Sequence, residues 1–244
     1  MEEWKMSQLT EETWVADIVK AVPKTGDLFR KLRIDFCCGG KISLREAAAN
    51  RGLHAGELLT QIHEVEEKQA QHKQMQPPSL EPKELIAYIQ NEYHTKLREE
   101  LSALTPYVTK LTRVHGERYS HLKRVNELFT LLKQELSEHI QNEEDLVFPM
   151  IEAFLQESTV ERADELNPIL SKLQNEHQTV VEFLKEMRLI TNGFEPMQEA
   201  CGTHRLVLKR LEDLEADIFN HILLENCTLI ERTRQAQLIA KPIN

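Results

Sequence analysis

A chain of 244 residues with 41% hydrophobic and 29% charged side chains carries enough apolar mass for a core, which excludes a wholly disordered protein. Forty acidic against thirty basic residues leave a formal charge of −10, which repels phosphate backbones over most of the surface and argues against a nucleic-acid partner. Eight glycines, nine prolines and 6% aromatics suit long helices rather than a turn-rich sandwich or barrel, so the expected fold class is all-α.

The first residues, MEEWKMSQLTEETW, are acidic where a secretory leader needs a basic segment, and no apolar run approaches the roughly 18 residues that span a bilayer. The expected setting is cytoplasmic, with no membrane partner. Four cysteines (Cys37, Cys38, Cys201, Cys227) are too sparse for a secreted disulfide scaffold. Gly26, Gly39, Gly40, Gly52 and Gly56 all fall early, which predicts a small helical domain over 1–70, its short helices joined by tight turns. Ser43-Leu44-Arg45-Glu46 is a capping-box pattern opening a helix that runs to about Asn50, after a stop at Gly39-Gly40. Cys37 and Cys38, within Asp35-Phe36-Cys37-Cys38-Gly39-Gly40, are thereby placed at a helix-to-helix corner. As thiolates they can bind soft metals or exchange electrons; as small buried residues at a helix end they need no chemistry, and the motif alone leaves both readings open. Cys201 and Cys227 read as packing residues.

The polar, proline-interrupted stretch QAQHKQMQPPSLEP marks a linker, taken as 71–82. Beyond it Gly116, Gly193 and Gly202 divide the chain into four long segments of helical periodicity over 83–236, followed by a tail at 237–244. Four long helices imply a bundle. Its apolar stripes are His94, Leu97, Leu101, Leu104, Val108, Leu111; then Leu122, Val125, Phe129, Leu132, Leu136, His139, Glu143, Leu146, Met150; then Leu170, Leu173, His177, Val180, Leu184, Met187; and finally Val207, Leu211, Leu214, Ile218, His221, Glu225. Each stripe holds a histidine, and two add a glutamate one turn later on the same face.

Composition alone yields about 1.4 His-x-x-x-Glu pairs in a chain like this, and three occur, so the motif by itself is weak. His63 with Glu67 has no matching context and reads as a solvated helix face. The other two belong to a repeat: His94 precedes His139 by 45 residues and His177 precedes His221 by 44, with Gln-Asn-Glu before each lone histidine and His-Ile at each paired one. In two antiparallel hairpins these four histidines reach one depth of the core by helical rise. Four imidazoles and two carboxylates buried together cost several kcal/mol each unless compensated, and metal ions compensate them. Donors of this type suit iron, manganese or zinc, and six are more than one tetrahedral ion uses, so a dinuclear iron site from His94, His139, Glu143, His177, His221 and Glu225 is expected. Glu135, one turn before His139, and Glu176, beside His177, are candidates to support a ligand or pass an ion, or else plain surface glutamates. His115 is a weaker candidate of the same kind; His54, His72, His121 and His204 have no supporting pattern.

With the Cys-Cys-Gly-Gly corner ahead of a bundle carrying HIQNEEDLVFP and HILLENCTLIE, the chain resembles the repair of iron centres family of ScdA and YtfE type, from about Thr13 to Arg234. The resemblance implies a hemerythrin-like antiparallel four-helix bundle with a non-haem centre of two iron ions, oxo- and carboxylate-bridged, behind a small ScdA-type domain. It places the ligands on the same six residues, and it implies a redox or metal-transfer role for Cys37 and Cys38 and an iron-path role for Glu135 and Glu176. The implied function is repair of iron–sulfur clusters damaged by oxidative or nitrosative stress, with damaged iron–sulfur proteins or a cluster scaffold as iron acceptor. Nitric oxide or oxygen are the implied small ligands, and nitric oxide reduction or sensing at the same centre is the alternative. Oxygen-carrying hemerythrins, which resemble only the second half, use one more histidine, so a pure oxygen carrier is disfavoured. The sequence leaves a homodimer open.

Overall fold

The computed structural model describes residues 9–70 and 80–240. The chain divides into two compact units, Met1–Ser79 and Leu80–Asn244. The first contains α1 (Val15–Ala21), α2 (Thr25–Lys31), α3 (Leu44–Ala49) and α4 (Ala55–Ala70). Ile18, Phe29, Phe36, Leu44 and Ile62 are fully buried and form its centre, with the Phe29 and Phe36 rings 6.3 Å apart. Ser43 caps α3, its hydroxyl accepting from the Glu46 amide at 3.1 Å, as the capping pattern requires. Cys37 and Cys38 lie six or seven residues beyond the end of α2, in the connection to α3, and so are not helix-cap residues.

That connection folds back under α1: the Val15 amide donates to the Ile42 carbonyl and the Ala16 amide to the Gly40 carbonyl, each at 3.0 Å. A Cβ on Gly40 would collide with the Phe36 carbonyl oxygen and lie 2.8 Å from the Ala16 Cβ, so only glycine lets the two backbones meet. Gly40→Ala should therefore destabilise the first unit by about 1–3 kcal/mol, an overpacking cost. Thermal unfolding followed by amide exchange in α1 and α4 would check it; unchanged protection there would contradict the packing.

The second unit is four helices, three of them interrupted by one π turn. α5 runs without a break through Pro82–Ile89, the π turn Gln90–His94 and Thr95–His115. α6 runs through His121–Asn142, the π turn Glu143–Val147 and Phe148–Gln156; α7 is Val160–Ile190; α8 runs through Gly202–Leu224, the π turn Glu225–Leu229 and Ile230–Ala240. α6 and α8 each pack against both α5 and α7, closing a four-helix ring. Most of the expected linker, 71–79, lies outside the described residues, and Pro82 already opens α5 behind a capping box of Glu81 and Glu84. At the other end α8 continues to Ala240, with Gln237 buried and its amide donating to the Ala163 carbonyl at 3.2 Å; 241–244 lie outside the described residues. No helix among the described residues is long and apolar enough to cross a membrane.

The four expected stripes are buried apart from Leu146 and the half-buried Met150. Leu146 is 44% exposed, whereas Val147, Phe148 and Ile151 are buried. The physical reason is the π turn: the Phe148 amide bonds the Glu143 carbonyl five residues back, so one residue is added to the turn and the inward face moves on by one position. Pro149, which has no amide to donate, follows where the α-helical ladder is already interrupted.

Candidate metal centre

Each of the three π turns begins or ends on a candidate ligand: His94 closes the first, and Glu143 and Glu225 open the others. Such turns re-aim side chains and concentrate at functional sites. Here they bring all six candidates into one layer, between a cluster that includes Leu85, Ile89, Phe148 and Leu229 and the apolar half containing Leu101, Leu136 and Leu214. His94, Glu143, His177, His221 and Glu225 are fully buried and His139 is 3% exposed.

The six donors form two overlapping groups, His94, His221, Glu143 and Glu225 on one side and His139, His177, Glu143 and Glu225 on the other. Within the first, His94 Nε2 faces His221 Nε2 at 3.1 Å, and Glu225 Oε1 lies 2.7 Å from His221 Nε2. Within the second, His139 Nε2 faces His177 Nε2 at 3.1 Å, and Glu225 Oε2 lies 3.1 Å from His177 Nε2. Glu143 Oε2 is 3.3 Å from His94 Nε2 and 3.4 Å from His139 Nε2, so it adjoins both groups. Donors each about 2.1 Å from a common ion stand at separations of this order. Both oxygens of Glu143 and of Glu225 are buried without a hydrogen bond of sound geometry, as is His221 Nδ1. A buried orphan of this kind costs about 1–3 kcal/mol, more when charged, and a cation between the two groups removes the cost. The donor set thus fits two metal ions sharing both carboxylates, and with imidazole and carboxylate alone it suits iron, manganese or zinc.

The ring nitrogens that face away from the layer are held from outside. His94 Nδ1 donates to Glu144 Oε1 at 2.8 Å, His139 Nδ1 to Glu176 Oε2 at 3.0 Å and His177 Nδ1 to Asn226 Oδ1 at 3.0 Å. Two carboxylates and one amide oxygen as acceptors assign the proton to Nδ1 and turn the Nε2 lone pair inward, the tautomer a metal ligand needs. Arg98 grips both oxygens of Glu144 at 2.9 and 2.7 Å and fixes it against His94. Sequence reasoning missed Glu144, Asn226 and Arg98. The signal for the first two was adjacency: each directly follows a ligand glutamate, at the same place in the two repeats.

Protons compete for this layer. Burial works against a charged His94, but the Glu143 and Glu225 carboxylates outweigh it and hold the imidazole up at about 10. His177 is likewise held up at about 9 against its burial, chiefly by Glu225. Glu143 is pushed up to about 8 by burial and by the Glu225 charge, whereas His139 is pulled down to about 4 by burial.

Glu176 is a half-buried support for His139, with Lys172 3.4 Å from its other oxygen. Glu135 comes close enough to Glu176 for the two charges to interact, and burial followed by that charge raises its carboxyl. His115 sits 21 residues from His94 along α5, about 30 Å by helical rise, with Nε2 3.3 Å from Cys201 Sγ, and has no part in the layer. Cys201 is exposed at the start of α8 and so is not a packing residue, because the bundle core begins only further along that helix. His204 is buried at the same far end; His54 and His63 belong to the first unit, where His63 bonds Glu66 rather than Glu67, and His72 lies outside the described residues. Cys37 and Cys38 also belong to the first unit, the Cys37 thiol donating to the Cys38 sulfur at 3.9 Å with no disulfide between them. The Asp35 carboxylate accepts both their amides, at 3.1 and 3.0 Å. Burial, then Cys38 and Asp35, push the Cys37 thiol well above its usual range, so it is held as a thiol rather than a thiolate.

A protein-family model for the Hemerythrin HHE cation binding domain matches residues 85–232, and the ScdA_N model, described as a domain of unknown function, matches 11–66. Among curated relatives, the "Iron-sulfur cluster repair protein ScdA" of Staphylococcus haemolyticus is 37% identical over 92% of this chain and 99% of its own length. The "Iron-sulfur cluster repair protein YtfE" of Shigella boydii is 32% identical over 89% of this chain and 94% of its own length. A cation-binding model over well over half the chain, falling on the unit that carries the six convergent donors, and relatives matched over nearly their full length lead to one assignment: the chain belongs to the hemerythrin HHE family, in the group of ScdA and YtfE proteins that place an ScdA_N domain before that bundle.

Proposed function

We propose that the protein repairs iron–sulfur clusters by holding two iron ions between His94, His139, Glu143, His177, His221 and Glu225 and giving up iron to a damaged cluster. The observation that carries this reading is the pair of two-histidine groups sharing both buried glutamates. The names of the ScdA and YtfE relatives support the same role. When bound, the two ions would supply a reducible, exchangeable iron store, with an oxo bridge completing the carboxylate-bridged centre. Glu144, Glu176 and Asn226 hold three of the imidazoles in the binding tautomer, and the apolar layers above and below keep bulk water from the carboxylates. Glu176 and Glu135, half-buried at the α6–α7 seam, stand beside the His139 and His177 position, where Glu176 supports His139 and Glu135 adds a second carboxylate within reach of the Glu176 charge. In this reading Cys37 and Cys38 assist in metal transfer or redox exchange, Cys37 only once burial and the Asp35 charge no longer hold it as a thiol. The setting is the cytoplasm, and the acceptors are iron–sulfur proteins or scaffolds damaged by oxidative or nitrosative stress.

The test is repair with an iron balance. Iron-loaded protein is mixed anaerobically, with reductant, with a dehydratase whose reduced cluster lacks one iron. Recovery of dehydratase activity should match the iron lost from this protein. No recovery together with unchanged iron content would overturn the proposal.

A further inference from the structure

The two metal positions are unequal. His139 and His177 both donate outward from Nδ1, to Glu176 and Asn226, and His94 does so to Glu144. His221 does not: its Nδ1 is fully buried and has no hydrogen-bond partner. In place of an acceptor it has the Tyr93 ring, stacked at 5.8 Å with 18° between planes. The repeat explains the difference. Glu176 directly precedes His177 and reaches across to the paired histidine of α6, His139; Tyr93 directly precedes His94 and occupies the equivalent place beside the paired histidine of α8, His221. Both are half-buried on their helices.

We infer that the ion between His94 and His221 is the one released, and that Tyr93, standing where the other half has a carboxylate, is the positioning residue that makes it so. The inference rests on the proposed iron-donating role. To bind a cation through Nε2, His221 must carry its ring proton on Nδ1, where no acceptor meets it. When the ion leaves, the proton is free to move to Nε2, which faces the Glu225 carboxylate 2.7 Å away. Binding at this position therefore pins a buried donor on Nδ1, where nothing accepts it, and release lifts that constraint. At the other position both imidazoles are anchored, and losing one such anchor lowers metal affinity by about 10–100-fold. Stacking on Tyr93 keeps the His221 ring in plane without raising its basicity.

The experiment follows iron release from protein loaded with two ferrous ions into excess chelator under anaerobic conditions. Two phases of one iron each are expected, separated by about tenfold or more in rate. Tyr93→Glu should supply the missing acceptor and slow the fast phase toward the slow one, and Glu176→Leu, which removes the acceptor from His139 Nδ1, should speed the slow phase while leaving the fast one. Release of both irons in a single phase from the parent protein would overturn the inference. So would a fast phase unchanged in a folded, two-iron Tyr93→Glu protein, or a slow phase unchanged in a folded, two-iron Glu176→Leu protein. Failure of the repair assay with two phases intact would sink the donating role alone, so the two failures are distinguishable.

Discussion

Glu143→Ala should reduce bound iron from two ions to fewer than one per chain, read by metal analysis after loading and desalting. Its Oε2 stands 3.3, 3.4 and 4.0 Å from Nε2 of His94, His139 and His221, so it serves both positions at once. Removing a histidine weakens one position, but removing this carboxylate weakens both and leaves Glu225 as the sole shared donor. Two irons retained after the substitution would refute the ligand set. The same residue is a liability to the metal-free protein above about pH 8, where its fully buried carboxyl ionises against the Glu225 charge across the layer. Glu143→Gln keeps the shape and removes that charge, so above about pH 8 it should raise the unfolding temperature of metal-free protein while lowering that of the iron-loaded one. Equal shifts in both forms would contradict a metal-binding role for the carboxylate.

Stripping the metal should lower the unfolding temperature of the bundle by about 8–16 °C per ion. An ion free at about 1,000 times its dissociation constant adds about 4 kcal/mol. Each kcal/mol moves the transition of a unit this size by about 2–4 °C. The effect should depend on pH with a defined sign. A cation must displace protons from His94, His177 and Glu143, held at about 10, 9 and 8, so binding tightens as pH rises and weakens as it falls. The gap between loaded and stripped protein should be larger at pH 8 than at pH 6. A gap independent of pH would mean that these groups are not the ones the ion engages.

The amino-acid sequence by itself determined the all-α class, the bundle and the six convergent residues, because helical periodicity and a repeated interval of 45 and 44 residues are properties of the chain alone. It could not show the π turns. A π turn adds a single residue to a helix whose composition is otherwise unchanged, and only packing against the neighbouring helices stabilises that insertion. Hence Leu146 read as a core residue and stands 44% exposed, while Val147 took the inward place. The outer partners were equally hidden. Glu144, Asn226 and Arg98 look like surface residues of amphipathic helices until another helix presents a ring nitrogen or carboxylate to them. Even the repeat, plain in the sequence, concealed that its two halves are chemically unequal. Tyr93 and Glu176 hold matching positions, and only the tertiary structure shows that one accepts a hydrogen bond from a histidine and the other stacks on one, because that distinction depends on side chains from different helices meeting in space.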